Sequence, residues 1–126
     1  MAKFSLAQVW DNRSGTSAVE FGIVGPVFIA LVVGSIYLCM GLFLVGSLQF
    51  AVEEGARCAS VNAVACSDPS SIITYTRSRY FGPSLSPTFS YAASPCGNQV
   101  SASVSYAANL GFRTVTIPIS ATACFP

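Results

Sequence analysis

From Phe21 to Leu48 the chain reads FGIVGPVFIALVVGSIYLCMGLFLVGSL, twenty-eight residues without an Asp, Glu, Lys or Arg. A helix of about 20 apolar residues crosses a bilayer, so this stretch sets the terms for everything else: it predicts one transmembrane segment, about 21–48. It is too long for the apolar core of a secretory signal, which runs to about 7–15 residues. Gln49, Phe50, Glu53 and Glu54 follow it in place of a small-x-small cleavage site. Lys3 and Arg13 precede the span and Glu53 and Glu54 are the first charges after it. That asymmetry predicts the N-terminus inside and the C-terminus outside.

Composition narrows the function classes. Only 9% of the 126 residues are charged, where a soluble domain carries roughly 25%. Lys3, Arg13, Arg57, Arg77, Arg79 and Arg113 are scattered, so nucleic-acid binding has no electrostatic footprint. The chain has no His, which removes the commonest metal ligand and the commonest general base together. No nucleophile–base pair or phosphate-binding loop appears, and no small-molecule substrate or cofactor is expected. Glu53, Glu54 and Arg57 read as a solvated helix face, with Glu53 and Arg57 at the favourable i, i+4 spacing, and not as acid–base machinery.

Five Cys are present. Cys39 lies in the apolar run and reads as a small buried hydrophobe. Cys58, Cys66, Cys96 and Cys124 follow it, with seven, twenty-nine and twenty-seven residues between successive members. Metal sites use compact pairs such as CxxC, so these four are expected to form disulfides in an oxidising compartment. A domain of this size is marginal without such staples.

Glu20 stands at the lip of the apolar run. Alone, it is a carboxylate near a helix start, favoured by the macrodipole by about 0.3–1 kcal/mol. Its neighbours add more: RSGTSAVEF gives Gly15, four residues, then Glu20–Phe21 ahead of a hydrophobic helix. This resembles the processing site of type IV-like prepilins in the form used by the tight-adherence (Flp/Tad) pilus system. The longer stretch RSGTSAVEFGIVGPVFIALVVG, with Pro26 in the early helix, resembles TadE-like minor pilins, and QFAVEEGARCAS, CGNQVSASVSY and the terminal SATACFP fit the same picture. The resemblance implies a membrane-embedded prepilin peptidase that cuts between Gly15 and Thr16, so that residues 1–15 are a cytoplasmic leader. It also implies pilin and minor pilin subunits as partners, membrane lipid around the span, and a bacterial inner membrane location with the outer domain periplasmic. Major pilins of that system are short and nearly all helix; the further domain here points to a minor component.

Physics agrees with such a site. Cleavage creates an ammonium at Thr16, and Glu20, four residues on, shares its helix face. Between subunits, a Glu20–ammonium pair fixes axial register, because an unpaired buried carboxylate is costly. Gly15 lacks a Cβ and disfavours helix, leaving an extended bond to cut. An uncleaved single-span anchor with an outer binding module is the alternative; an accessory subunit of a membrane enzyme is a third reading.

The expected fold is α+β and pilin-like. One long helix covers 16–64, and a small disulfide-stapled domain covers 65–126. Pro26 should kink or loosen the helix. Gly22, Pro26, Ala30 and Gly34 share one face, either a helix-packing stripe or ordinary membrane-helix composition. Asp68–Pro69 predicts a helix start and a second helix over about 69–80, with Ile72, Ile73, Tyr75, Tyr80 and Phe81 on its apolar side. TFSYAA, NQVSASVSY and RTVTIPISAT read as strands, the last two by alternation, with Pro118 marking an edge or a bulge. A hairpin about Asn109–Leu110, pairing Val104 with Val115 or Ile117, brings Cys96 near Cys124 if a one-residue bulge intervenes. Cys58–Cys66 would then tie the two helices, although four Cys allow three connectivities.

Overall fold

The computed structural model describes residues 14–126; Lys3, Arg13 and the rest of the expected leader through residue 13 lie outside the described residues. Helix α1 spans Ser14–Val61, α2 spans Pro69–Arg79, and strands β1 (Thr88–Ser94), β2 (Gly97–Asn109) and β3 (Thr114–Phe125) follow. The chain divides into two compact units, Met1–Leu38 and Cys39–Pro126.

In the first unit, α1 continues through Pro26. Apolar side chains point outward all round: Phe21 is 78% exposed, Leu31 68% and Phe28 64%. No described residue covers them, which is the pattern of a lipid-facing or partner-facing helix. Alpha helix α1 is long and apolar enough to cross a membrane.

In the second unit the helix becomes one-sided. Leu44, Ser47, Leu48, Ala51, Val52, Gly55 and Ala56 are buried, an i, i+3, i+4, i+7 stripe that marks one packed face. This stripe starts inside the uncharged stretch, so the last turns of that stretch pack on protein along one side. They meet a three-stranded antiparallel meander of order β1-β2-β3, whose inner face carries Phe89, Val100, Ala102, Val104 and Ala121 in one core with Leu44, Leu48 and Ile72. The outer face alternates to Ser101, Ser103, Ser105, Ser120 and Thr122, as the period-two pattern requires.

Helix α2 starts as its sequence predicts. Asp68 is the N-cap, accepting from the Ser70 and Ser71 amides at 2.9 Å, while the Ser71 side chain accepts from the Asp68 amide at 3.2 Å. The helix crosses α1 where Gly55 has no side chain and Thr76 is fully buried. Thr76 satisfies its hydroxyl by donating to the Ile72 carbonyl at 2.8 Å. Phe81, expected on the apolar side of α2, lies after the helix end and remains 56% exposed. It stacks edge-on against Phe43 and Phe50 at 5.8 and 5.6 Å.

The β2–β3 register differs from the expected one. Val104 pairs with Ile119, and Asn109 with Thr114, so the turn centres on Gly111–Phe112. Gly111 adopts φ 86°, a conformation that glycine takes without strain, and this draws the turn two residues beyond Asn109–Leu110. The pairing runs without a bulge, Ser105 opposite Pro118. Pro118 sits on the edge strand β3, where a missing N–H costs no ladder bond on the open side.

Candidate processing and assembly site

Gly15, Thr16, Glu20 and Phe21 lie together in the first two turns of α1. The Gly15–Thr16 bond is therefore helical, not extended: α1 begins at Ser14 and already contains it. Gly15 has open space where a Cβ would stand. Residues Gly15 through Phe21 are all exposed. Thr16 and Glu20 sit four residues apart and so share a face, and Glu20 is the only charge in the segment.

Beyond Glu20 the helix surface is apolar and notched. Gly22 and Gly25 leave a hollow of about 460 Å³ between Phe21, Phe28 and Pro26. Pro26 has no N–H to give the Gly22 carbonyl. Gly22, Pro26, Ala30 and Gly34, the expected small-residue face, are exposed together.

In the second unit the four late cysteines close two bonds. Cys58 joins Cys66 with Cα atoms 5.9 Å apart, and Cys96 joins Cys124 with Cα atoms 6.2 Å apart. Cys96 needs no bulge because it stands in the two-residue β1–β2 turn, outside the strand whose register raised the difficulty. Both bonds lie at the end of the domain where Asn98 donates to Ser60 at 3.0 Å and Ser60 donates to the Phe125 carbonyl at 3.1 Å. Cys39, expected buried, is an exposed free thiol.

Two polar features escaped the sequence reading. Ser47 is 1% exposed within an otherwise apolar helix face and donates to the Leu44 carbonyl at 3.0 Å. It also hydrogen-bonds Tyr80, whose phenol is held above its ordinary pKa by burial, with the Ser47 bond acting in the opposite direction. Tyr80 in turn donates to the Pro83 carbonyl at 2.6 Å, locking the loop after α2. Glu53 takes a different partner from the expected Arg57: the Gln49 side chain donates to it at 2.8 Å. Among the described residues no three His, Cys, Asp or Glu side chains gather to hold a metal ion.

A long exposed apolar helix leading into a small α+β domain is the build of a membrane-anchored protein. Residues 15–57 match the model of a family described as TadE-like protein. Over that segment the chain is similar to TadE-like proteins, consistent with a protein of the tight-adherence pilus system. The match opens on Gly15 and ends on Arg57, within α1, so α2 and the sheet lie beyond it. No curated protein and no solved structure is significantly similar to the chain.

Proposed function

We propose that the chain is a minor pilin or pseudopilin, cut by a prepilin peptidase between Gly15 and Thr16 and assembled through α1 into a tight-adherence pilus or its initiation complex. Its role is structural, and the peptidase treats it as substrate. The observation that carries this reading is the coincidence of two boundaries: the TadE-like match begins at Gly15, and Gly15 is the residue after which the motif implies the cut. The exposed apolar surface of α1 in the first unit supports it, since a helical stretch that no described residue covers calls for lipid before assembly and neighbouring helices after it. The N-terminus is cytoplasmic and the disulfide-bonded domain periplasmic, the compartment in which such bonds persist. Residues 65–126 present a surface to other subunits.

Intact mass of the chain from cells carrying the matching peptidase tests this directly. The expected product has lost residues 1–15 and starts at Thr16. A mature chain that still starts at Met1 would sink the processing step. It would favour the uncleaved single-span anchor, a reading that the helical Gly15–Thr16 bond also suits, because a cut there requires local unwinding.

A further inference from the structure

Between the end of α2 and the start of β1 lies a hollow of about 570 Å³, lined among others by Arg77, Tyr80, Ser84, Ser86, Thr88 and Phe89. Every lining residue belongs to the second unit. Small-ligand clefts span about 300–1,000 Å³, so the hollow is of ligand size. Its wall is preset. The Pro83 carbonyl accepts from the Tyr80 hydroxyl at 2.6 Å and from the Leu85 amide at 2.7 Å. Gly82 packs so closely on Ser47 and Tyr80 that a Cβ has no room there. Ser86 holds φ 50°, a left-handed conformation that a serine keeps only where its surroundings fix it. A fixed wall spares a ligand the cost of ordering it.

The polar groups of the hollow have no work inside the domain. The Arg77 guanidinium makes no ion pair or hydrogen bond among the described residues, and neither do the hydroxyls of Ser84, Ser86 and Thr88. Arg79, two residues on, is used differently: it donates to the Tyr75 hydroxyl at 3.0 Å and lies 4.8 Å over the Tyr75 ring. No Asp or Glu lines the hollow.

One cation without an acid calls for an anion, and a guanidinium grips a carboxylate through two parallel hydrogen bonds. A dianion such as phosphate suits the place less well. Arg77 stands in the last turn of α2, where the helix presents its negative end. The three hydroxyls then decide what carries the carboxylate. A hydroxyl both donates and accepts, so three of them match a polyol, whose hydroxyls do the same. The carbonyls and carboxylates of an acidic peptide only accept. Tyr80 and Phe89, edge-to-face at 6.3 Å, add an apolar part to the lining. A second hollow of about 550 Å³ shares Ser86 and Thr88 with the first and continues past Ser103, Ser105 and Ser120, a further row of neutral hydroxyls.

We infer that the hollow after α2 binds a sugar that bears a carboxylate, with Arg77 on the carboxylate and Ser84, Ser86 and Thr88 on the ring hydroxyls. The site lies wholly in the outer domain. It does not depend on cleavage after Gly15 or on α1 spanning a bilayer, and it gives the domain a ligand besides other subunits.

The test titrates the isotope-labelled full chain in detergent micelles with glucuronate, glucose, acetate and an acetylated Glu-Glu dipeptide, and follows backbone amide shifts by NMR. Glucuronate should give saturable shifts at Arg77, Ser84, Ser86 and Thr88. Glucose and acetate should each bind about 10-fold more weakly, the worth of a charge-assisted hydrogen bond at an open site. Arg77→Gln should bring glucuronate down to the level of glucose, and Thr88→Val should weaken both sugars alike. Arg79→Gln should leave glucuronate binding unchanged. Both arginines are exposed, and unshifted amides elsewhere in the variants check that the fold is kept. No saturable shift, acetate binding as tight as that of glucuronate, or unaltered glucuronate binding in Arg77→Gln overturns the inference. Tighter binding of the dipeptide than of glucuronate overturns it too, and makes the hollow a peptide site.

Discussion

Two single residues carry separable roles. Glu20 lies four residues after Thr16 on an exposed face, so within one chain its carboxylate competes with water for any ammonium at Thr16. In the proposed assembly water is gone between packed subunits, and a missing partner would leave a buried charge uncompensated at a cost of about 3–5 kcal/mol. Glu20→Ala should therefore be processed normally, by intact mass, yet lose 100-fold or more of its recovery in sheared pili. Normal recovery would remove the pairing argument. Gly55 acts inside the domain. A Cβ there would run into Thr76, which is fully buried and cannot yield. Gly55→Ala should lower stability by about 1–3 kcal/mol through overpacking, read as thermal unfolding in detergent. Gly46→Ala, on the same helix with open space around it, is the control and should be neutral or mildly stabilising.

Among the elements, α2 has a stability tied to pH through its N-cap. The Asp68 carboxyl is held below its ordinary value, first by the Ser70 hydroxyl and then by the Ser71 amide. A group with a depressed folded pKa contributes stability above its unfolded pKa and loses it as pH falls through the folded value. Thermal stability of the native chain should thus decline on acidification from about pH 5 to about pH 3. Asp68→Asn, still a good cap, should flatten that decline, and Asp68→Ala should lower stability at every pH. An unchanged acid profile in Asp68→Asn would show that the carboxylate is not its source. This cap was legible in the sequence because Asp-Pro at a helix start leaves few alternatives. The sheet was legible too, since Val100, Ala102 and Val104 alternate with Ser101 and Ser103. Its register was not: Val115, Ile117 and Ile119 share one parity, and only the φ of Gly111 selects among them. The buried stripe from Leu44 was hidden for a related reason. LFLVGSL is apolar on every side, so no period reveals which side meets protein. As for the candidate site, its residues were legible as a motif, whereas the helical state of the Gly15–Thr16 bond was not.

At the scale of the molecule, the domain is held differently at its two ends. Toward Gly41 the sheet lies on the continuous helix α1. At the far end α1 stops at Val61, the strands end, and both disulfides sit there with the Ser60–Asn98 contact. Staples placed where the hydrophobic core runs out compensate for a domain too small to close itself. The two bonds should not contribute equally. Cys58–Cys66 closes a segment with sequence separation 8 and Cys96–Cys124 one of 28. Loop-closure entropy gives about 2.5 kcal/mol for the first and about 3.6 kcal/mol for the second. Cys96→Ser with Cys124→Ser should therefore destabilise the domain by about 1 kcal/mol more than Cys58→Ser with Cys66→Ser, measured by urea unfolding in detergent. The difference has a spatial signature as well. Losing the first bond frees only the end of α1 and the link to α2, so the Asn98–Phe125 strand end should keep its amide-exchange protection. Losing the second opens the β1–β2 turn and the end of β3 together, and protection should fall at both. Equal unfolding costs with protection lost at all three places would mean that the far end melts as one unit and that loop length does not govern the staples.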